Sequence, residues 1–427
     1  MNKAEQFLKA HKMTASDVNI QKLVSLFLSE MENGLSGKES SLLMLPTYIE
    51  ADNEVVANEP VIAIDAGGTN FRAAKVYFDE NLKLITENIQ HNKMPAIDRE
   101  FSKKEFFDTL AGYLTDFKTV SDKIGFCFSY AVEIYPNKDG KLIEWSKEVK
   151  ADEVIGEMVG ENLLSAMNTT EKQLVLMNDT VSTLLAGKAA TAGKEYGSYI
   201  GFILGTGTNT SYIETNRNIT KTDGLDKNSS QIINIESGNF GGVSQSDLDI
   251  AFDNTTKNPG RYPFEKMFSG GYFGGLCTTA LKVAASEGLF SAESAKEIEK
   301  LQELSSEEVN MFVCSINLDE NALTKTLSTN EDKVTGAKII KGLIERASKL
   351  VAANLAAVIL KTGKAKTPEK PVLMTIEGTT FYKLKNFQEM FEEYLQEFLS
   401  GENQRYYEIV EVENSSLLGA AIAALVN

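Results

Sequence analysis

One segment predicts more about the fold of this chain than any other: Val61-Ile-Ala-Ile-Asp-Ala-Gly-Gly-Thr-Asn-Phe-Arg-Ala-Ala-Lys-Val76. Two apolar runs flanking a Gly-Gly turn predict a pair of strands, with glycine supplying the positive φ of the turn. The turn would present backbone N–H groups, the Thr69 hydroxyl and Arg72 to one point, and clustered donors of this kind bind phosphate oxygens. Asp65 would hold a magnesium ion on those phosphates, directly or through water. An ordinary hairpin is the alternative.

A second strand–turn–strand unit follows about 140 residues later, with an apolar run at 198–204, the turn Gly205-Thr-Gly-Thr-Asn209 and a return strand at 210–214. Alone, this turn is also compatible with an ordinary hairpin. Two such units predict an internally duplicated core with one phosphate-binding turn in each half. The glycine patterns of P-loop and dinucleotide-binding proteins are absent from the sequence, which excludes both classes.

The totals describe an ordinary globular protein: 427 residues, 42% of them hydrophobic and 24% charged. That length predicts two or three domains. The net charge of −17 argues against a nucleic-acid or anionic-membrane partner, because both require clustered positive charge. Three widely spaced cysteines, a polar N-terminal segment and no long apolar run predict a cytoplasmic protein without membrane spans.

Only two histidines occur in the sequence, so acid–base chemistry must depend on carboxylates. Asn178-Asp179-Thr180 lies where an apolar strand meets a helix, at the sheet edge where ligands gather. Asp179 is therefore a candidate to accept the proton of an attacking hydroxyl, since phosphoryl transfer otherwise requires mainly positioning and charge neutralisation. The alternative is that Asp179 or Thr180 only caps the helix.

Strands that alternate with helices indicate an α/β protein. We expect a helix capped by Ser16 and ended by Gly34. Further helices are predicted at 103–118, 181–192, 339–360 and 419–426, and further strands at 81–91, 123–130, 174–177 and 372–378.

At this point the chain resembles the hexokinases, from Met44 almost to its end. The segments that carry the resemblance, in the family's order, are Met44–Tyr48, Asp65–Arg72, Gly125–Ser129, Trp145–Lys147, Asn178–Val181, Gly205–Asn209, Ile233–Glu236, Phe264–Gly270, Glu377–Thr379 and Leu418–Ala421.

The resemblance implies an actin-like (ribonuclease H-like) fold of two α/β domains, with a hexose and MgATP in the cleft between them. Residues 61–180 plus 416–427 would form the small domain, and residues 1–60 plus 181–415 the large one. ATP and Mg²⁺ are the implied cofactors, no nucleic acid or membrane is expected as a partner, and the protein would be a monomer or homodimer.

Carried over to this sequence, the resemblance implies that Asp179 is the base acting on the sugar 6-hydroxyl, assisted by Lys147. The implied sugar ligands are Ser129, Ser146, Lys147, Asn178, Asp179, Asn209, Glu236 and Glu265. Asp65 would position the metal, and ATP would contact Asp65, Gly67, Gly68, Thr69, Asn70, Arg72, Gly205, Thr206, Gly207, Gly378, Thr379 and Gly419. Without the resemblance, Glu236, Glu265 and Lys147 would be interpreted as solvated surface charges.

Some positions depart from the family pattern. Tyr130-Ala131 stands where Phe-Pro is usual, which suggests a freer local backbone, and Ser146 replaces a threonine. Ser237, Asn239 and Glu377 are further departures. None removes a catalytic group, but the loop changes leave the preferred sugar open.

The sequence thus predicts ATP-dependent phosphorylation of a hexose at its 6-hydroxyl, as in the first step of glycolysis. Glucose is favoured, while mannose, fructose and glucosamine stay open. The alternatives are an amino-sugar kinase of the same superfold, a non-catalytic hexose sensor and an actin-like filament protein.

Overall fold

A computed structural model describes residues 2–50, 56–81, 83–145, 149–191 and 193–427. Its strands, in chain order, are β1 (Leu45–Pro46), β2 (Val61–Ala66), β3 (Asn70–Phe78), β4 (Leu84–Lys93), β5 (Lys123–Phe128), β6 (Ala131–Ile134), β7 (Gly140–Glu144), β8 (Gln173–Met177), β9 (Ser198–Leu204), β10 (Thr208–Thr215), β11 (Ser230–Asn234), β12 (Val372–Glu377) and β13 (Tyr407–Val410).

Its α-helices are α1 (Lys3–Ala10), α2 (Ile20–Leu35), α3 (Lys103–Tyr113), α4 (Val159–Met167), α5 (Asp179–Ala190), α6 (Asp247–Asp253), α7 (Phe273–Ser286), α8 (Ala292–Glu299), α9 (Ser306–Cys314), α10 (Ala322–Thr326), α11 (Asn330–Lys361), α12 (Thr379–Lys383), α13 (Phe387–Phe398) and α14 (Ser415–Val426). In the part of the chain that the structure describes, no helix combines the length and apolarity needed to cross a bilayer.

The two large sheets share one arrangement, an antiparallel hairpin followed by parallel strands. The first has the order β4-β3-β2-β5-β8, in which β2 and β3 form an antiparallel hairpin and β2, β5 and β8 are parallel. The second has the order β1-β11-β10-β9-β12-β13, in which β9 and β10 form a hairpin and β9, β12 and β13 are parallel. The pair of strand–turn–strand units predicted from the sequence is confirmed.

Each sheet has its own apolar core. The six-stranded sheet packs with α2, α7 and α11, and the five-stranded sheet packs with α3, α4 and the β6–β7 hairpin. A third apolar cluster contains residues of β2, β5, α5 and α14 together with Ile232 of β11, so α5 and α14 lie between the two sheets. All strands of the five-stranded sheet fall within 61–180, while the domain boundaries given above stay a prediction.

The helices α5 and α14 approach each other until their backbones touch. A Cβ atom added to Gly419 would lie 2.0 Å from the backbone oxygen of Ser182. On the other face of α14, a Cβ atom added to Gly125 would lie 1.8 Å from the backbone oxygen of Ala420. Glycine is therefore required at both contacts, because no side chain fits there.

Some element boundaries differ from the sequence-based expectation. Asn19, not Ser16, caps α2, and that helix continues through Gly34 to Leu35. The third helix ends at Tyr113 and is followed by a short 3₁₀ turn rather than continuing to 118. Helix α5 begins at Asp179, two residues before the predicted start. Boundaries depend on side-chain capping bonds that residue patterns identify poorly.

We expect Gly419→Ala to lower the free energy of unfolding by about 1–3 kcal/mol, because the added methyl group overpacks the α5–α14 contact. Gly112→Ala is the matched control, since Gly112 lies in α3 and a Cβ atom added there would meet no neighbouring element within 4 Å. That control should be neutral or slightly stabilising. Urea unfolding of both variants checks this, and equal stability of the two would contradict the packing argument.

Candidate active site

The first glycine turn lies between β2 and β3. Its backbone is closed by a hydrogen bond from Gly67 N to Asn70 O (2.9 Å), and Met94 N donates to Thr69 O (3.0 Å). At the end of β2, Asp65 Oδ2 accepts hydrogen bonds from Arg72 Nε and Nη2 at 2.9 and 2.6 Å. The turn is therefore tied to its strands, with a buried carboxylate and a guanidinium beside it.

Arg72 also reaches across to the start of α14. Its Nη1 donates to Asn414 Oδ1 (3.0 Å) and its Nη2 to Ser416 Oγ (2.9 Å). The guanidinium thus connects the first turn, Asp65 and α14. A direct contact of Arg72 with phosphate, as predicted, would require it to exchange one of these bonds.

Tyr130 is held firmly beside the first turn. Its ring is buried and its hydroxyl donates to Gly67 O at 2.8 Å. The ring of Trp145 packs edge-on against it, with ring centroids 4.8 Å apart. The side chain of Tyr130 is therefore fixed by its buried ring and its hydrogen bond, while the expectation of a freer backbone at Tyr130-Ala131 stays a prediction.

The second glycine turn lies between β9 and β10, and hydrogen bonds from later parts of the chain hold it in place. Gly270 N donates to Gly205 O (2.7 Å) and Gly271 N to Thr206 O (2.8 Å). Thr380 Oγ1 donates to Gly205 O at 2.9 Å. The first turn was predicted to use glycine for its positive φ, but Gly67 lies outside the left-handed region, as do Gly205 and Gly207 of the second turn.

Gly378, which was predicted to contact ATP, is a position where a positive φ does require glycine. Its φ is +125°, and an added Cβ atom would lie 2.1 Å from Leu204 O. It precedes α12, which begins with the exposed Thr379. Gly378 therefore allows β12 to pass close to the second turn, while contact of Gly378, Thr379 or Gly419 with ATP stays a prediction.

Asp179 is the first residue of α5, directly after strand β8. The N-cap residue of α5 is Asn178, whose Oδ1 accepts hydrogen bonds from Thr180 N (3.0 Å) and Thr180 Oγ1 (2.7 Å). Asp179 Oδ1 also accepts a hydrogen bond from Thr180 N at 2.9 Å, so Asp179 contributes to the same helix start, and its role as a base stays a prediction. Asp179 stands at the carboxyl edge of the five-stranded sheet, at the positive end of a helix.

A network of three amides and one carboxylate lies next to Asp179. Asn209 Nδ2 donates to Asn178 Oδ1 (3.3 Å), Asn234 Oδ1 (2.8 Å) and Glu236 Oε1 (3.3 Å). Asn234 Nδ2 donates to the same Glu236 oxygen at 2.9 Å. Asn234 was not among the predicted site residues, although a polar residue ending an apolar strand was a signal that could have identified it.

Glu265 is oriented by the backbone of Thr208, the residue before Asn209. The backbone N–H of Thr208 donates to Glu265 Oε2 at 2.8 Å. Consecutive residues of β10 therefore position both predicted acidic sugar ligands, Glu236 through Asn209 and Glu265 through Thr208. The same strand continues from the second phosphate turn, so the two predicted subsites share one element.

The carboxyl group of Glu236 lies inside the cleft, although the residue keeps partial exposure. Desolvation by burial, together with the nearby carboxylates of Asp179 and Glu144, raises its pKa to about 7 in spite of the hydrogen bonds from Asn234 and Asn209. Its φ of +58° is uncommon for a residue other than glycine, and such strain is concentrated at functional sites.

The thiol of Cys127 is buried, and its pKa is raised by that burial and then by the charges of Asp65, Asp179 and Glu377. Glu377 accepts hydrogen bonds from Ser415 Oγ and from Thr183 Oγ1 (3.3 Å). Burial and the charges of Asp179 and Asp65 raise the pKa of Glu377. This concentration of negative charge favours a bound cation.

A magnesium ion fits this end of the cleft. Both bonds from Arg72 use Oδ2 of Asp65, so Oδ1 is the oxygen toward which a magnesium ion or its water would be placed. Among the described residues, no three His, Cys, Asp or Glu side chains are grouped to hold one metal ion together. Mg²⁺ accepts such a sparse protein site because it retains waters and binds substrate phosphates.

The structure joins some of the predicted site residues by hydrogen bonds: Asp65 with Arg72, Asn178 with Asn209, and Asn209 with Glu236. For the other described site residues, contact with a ligand stays a prediction. Ser146 and Lys147 lie outside the described residues. Gly419 is buried in the α5–α14 contact. Sequence reasoning missed Asn234, Thr380, Ser415 and Ser416, because their contacts come from segments far apart in the chain.

Comparison with known proteins agrees with this geometry. Two family models described as hexokinase match residues 3–189 and 199–426. Hexokinase-5 of rice (Oryza sativa subsp. japonica) is 27% identical over 453 residues, covering 97% of this chain and 87% of the rice protein. Human hexokinase-2 is 27% identical over 457 residues, covering 100% of this chain and 48% of the human protein.

A solved structure shows the same fold. The hexokinase from Schistosoma mansoni complexed with glucose superimposes with a TM-score of 0.80 at 23% identity, covering 99% of this chain and 100% of that one. The two-domain actin-like α/β fold predicted from the sequence is confirmed.

Glu236 should make stability depend on pH. Its folded pKa of about 7 lies above its ordinary value of 4.5, so the folded protein binds more protons than the unfolded chain between these pH values. The stabilising contribution is complete below pH 4.5 and is lost as the pH rises through 7. The wild type should therefore lose on the order of 3 kcal/mol relative to Glu236→Gln across this window.

Urea unfolding of both proteins at several pH values measures this difference. Glutamine keeps an oxygen that can accept the bonds from Asn209 and Asn234, which makes it a matched substitution. A stability difference that stays constant from pH 4 to pH 8 would contradict the raised pKa of Glu236 (about 7).

Proposed function

This chain belongs to the hexokinase family and catalyses the ATP-dependent phosphorylation of hexoses, and we propose that its substrate is glucose, phosphorylated at the 6-hydroxyl. The product would be glucose 6-phosphate, as in the first step of glycolysis, formed in the cytoplasm. Mannose, fructose and glucosamine are further candidate substrates.

The observation that carries this proposal is the amide–carboxylate network beside Asp179. The side chain of Asn209 donates hydrogen bonds to Asn178 and Glu236. The preceding residue of β10, Thr208, donates its backbone N–H to Glu265. Amides donate and accept while carboxylates accept, so together they can recognise several hydroxyl groups at once. A site of this kind strongly rejects analogues that lack a hydroxyl, because its own polar groups would be left unpaired.

Asp179 is the proposed general base. Its carboxylate accepts the proton of the 6-hydroxyl while the hydroxyl oxygen forms a bond to the γ-phosphorus of ATP. The bond from that phosphorus to the β–γ bridging oxygen breaks, and ADP leaves with the electron pair. The position of Asp179 at the start of α5, at the carboxyl edge of the five-stranded sheet, supports this role, and Lys147 would assist it.

The remaining groups position and neutralise the phosphates. The backbone N–H groups of both turns, with Thr69 and Thr206, are the proposed phosphate donors. Bound Mg²⁺ supplies charge neutralisation at the phosphate oxygens, and Asp65 would hold it. Because water competes with the sugar as a nucleophile, the cleft must be closed around the substrate before transfer.

The direct test is a coupled assay of ADP release with MgATP and a panel of glucose, mannose, fructose and glucosamine. Release that depends on glucose supports the proposal, while a preference for glucosamine would establish an amino-sugar kinase instead. Hexose binding by calorimetry without turnover would favour a sensor. ATP-dependent polymerisation would favour a filament protein.

Asp179→Asn should lower kcat by a factor of about 100 or more, because the 6-hydroxyl loses its proton acceptor. Sugar affinity should change little, since asparagine keeps the size and one oxygen of the side chain. Asp98→Asn is the matched control, as the Asp98 side chain is 76% exposed and pairs only with a surface lysine, Lys93, in the structure. Wild-type turnover in Asp179→Asn would overturn the assignment of the base.

A further inference from the structure

The two sides of the cleft meet at a polar contact outside the network described above. Glu144 Oε1 accepts hydrogen bonds from Tyr262 Oη at 2.5 Å and from Arg261 Nη2 at 2.8 Å. Arg261 and Tyr262 lie 117 and 118 positions after Glu144 in the chain. We call this contact of Glu144, Arg261 and Tyr262 the cleft latch.

The partners of the latch belong to different cores. Glu144 ends β7, whose Leu142 packs in the apolar cluster of the five-stranded sheet. Tyr262 lies two residues before Phe264, which is buried in the cluster of the six-stranded sheet. The latch therefore joins one side of the cleft to the other rather than bracing either side alone.

Both partners also adjoin proposed sugar-binding segments. Glu144 comes just before Trp145-Ser146-Lys147 in the sequence, and Tyr262 comes three residues before Glu265. The carboxylate of Glu144 contributes to the raised pKa of Glu236, and that of Glu265 contributes to the raised pKa of Tyr262. The latch therefore lies at the sugar end of the cleft.

The loop that presents Arg261 and Tyr262 is firmly anchored. The buried ammonium of Lys266 bonds to Asp253 Oδ1, to Thr256 Oγ1 (2.8 Å) and to Asn258 O (2.6 Å). Asp253 Oδ2 in turn accepts from Gly260 N at 2.7 Å. Lys266 directly follows Glu265, so one buried cation fixes both the latch loop and a proposed sugar ligand.

The backbone of Tyr262 points to the same conclusion. Its φ is +53°, in the left-handed region that a residue with a bulky side chain rarely adopts. Such a conformation persists only where the surroundings hold it, and it is concentrated at functional positions. The loop is therefore built to direct this hydroxyl toward Glu144.

We propose that the cleft latch holds the end of β7 and the loop before Glu265 together and thereby sets the affinity of the enzyme for its hexose. The inference rests on the proposed function for the identity of the sugar. Glu144, Arg261 and Tyr262 act as positioning residues: they fix the loop before Glu265 relative to β7. Opening the latch weakens sugar binding and speeds sugar release, while the phosphate turns and Asp179 stay intact.

The test compares Tyr262→Phe with Tyr135→Phe. Tyr135 donates to the Glu133 carboxylate at 3.1 Å, but it follows the end of β6 that is remote from Glu144, because Ala131 pairs with Glu144 and Ile134 with Gly140. Each variant loses one tyrosine–carboxylate hydrogen bond. Isothermal titration calorimetry measures the binding of glucose by each variant.

A hydrogen bond to a charged group is worth roughly a factor of ten in an equilibrium constant. Tyr262→Phe should therefore raise the Kd and KM for glucose about tenfold, while kcat stays within about twofold and the KM for MgATP is unchanged. Tyr135→Phe should behave as the wild type. Partial loss of the fold alone would instead lower the apparent kcat and leave both KM values unchanged.

Two further measurements separate this proposal from the proposed function. In a double-mutant cycle, Tyr262→Phe and Glu144→Gln should be non-additive in glucose Kd. Small-angle scattering without sugar should give a larger radius of gyration for Tyr262→Phe than for the wild type, whatever reaction the enzyme performs. Unchanged Kd and unchanged scattering in an active enzyme would overturn the latch and leave the kinase assignment standing. Altered scattering in a protein without hexokinase activity would support the latch and overturn the kinase assignment.

Discussion

The close packing of α5 against α14 is the contact on which the rest of the structure depends. Ser182 Oγ donates to Ser416 O at 2.6 Å, and the hydroxyls of Thr183 and Ser415 lie 3.2 Å apart. Both helices begin at the cleft, α5 with Asp179 and α14 beside Arg72 and Glu377. Any sliding between them would move the proposed base relative to both phosphate turns, because each turn is bonded to residues near one of the helix starts.

The cleft concentrates negative charge in a protein whose net charge is already −17. Asp65, Asp179 and Glu377 gather at one end, and Glu144, Glu236 and Glu265 at the other. The acidic residues at the sugar end can accept hydroxyl hydrogen bonds, and their partial desolvation strengthens those bonds. The phosphate end needs positive charge, which the turn amides, Arg72 and a magnesium ion would supply locally.

Strand β10 connects the proposed phosphate-binding turn directly to the residues that orient the proposed sugar ligands. The second glycine turn leads directly into Thr208 and Asn209, and these two residues orient Glu265 and Glu236. Gly270 and Gly271, which follow Glu265 closely in the chain, return to bind the same turn. In the proposed mechanism, a sugar bound to either glutamate would therefore act on the second glycine turn through one or two hydrogen bonds. The cleft latch adds a connection across the rim of the same site.

The sequence alone determined the features that are local in the chain: both strand–turn–strand units, the α/β alternation, and the placement of Asp179 between a buried strand and a helix. These follow from apolar periodicity and turn residues, which act over a few positions. Only the tertiary structure decided that Asn178 caps α5, that Asn234 joins the sugar network, and that Glu144 meets Tyr262. It also decided that Gly419 is required by the Ser182 backbone. Each of these contacts joins atoms whose distance depends on how distant elements pack, and no local pattern of residue types encodes that distance.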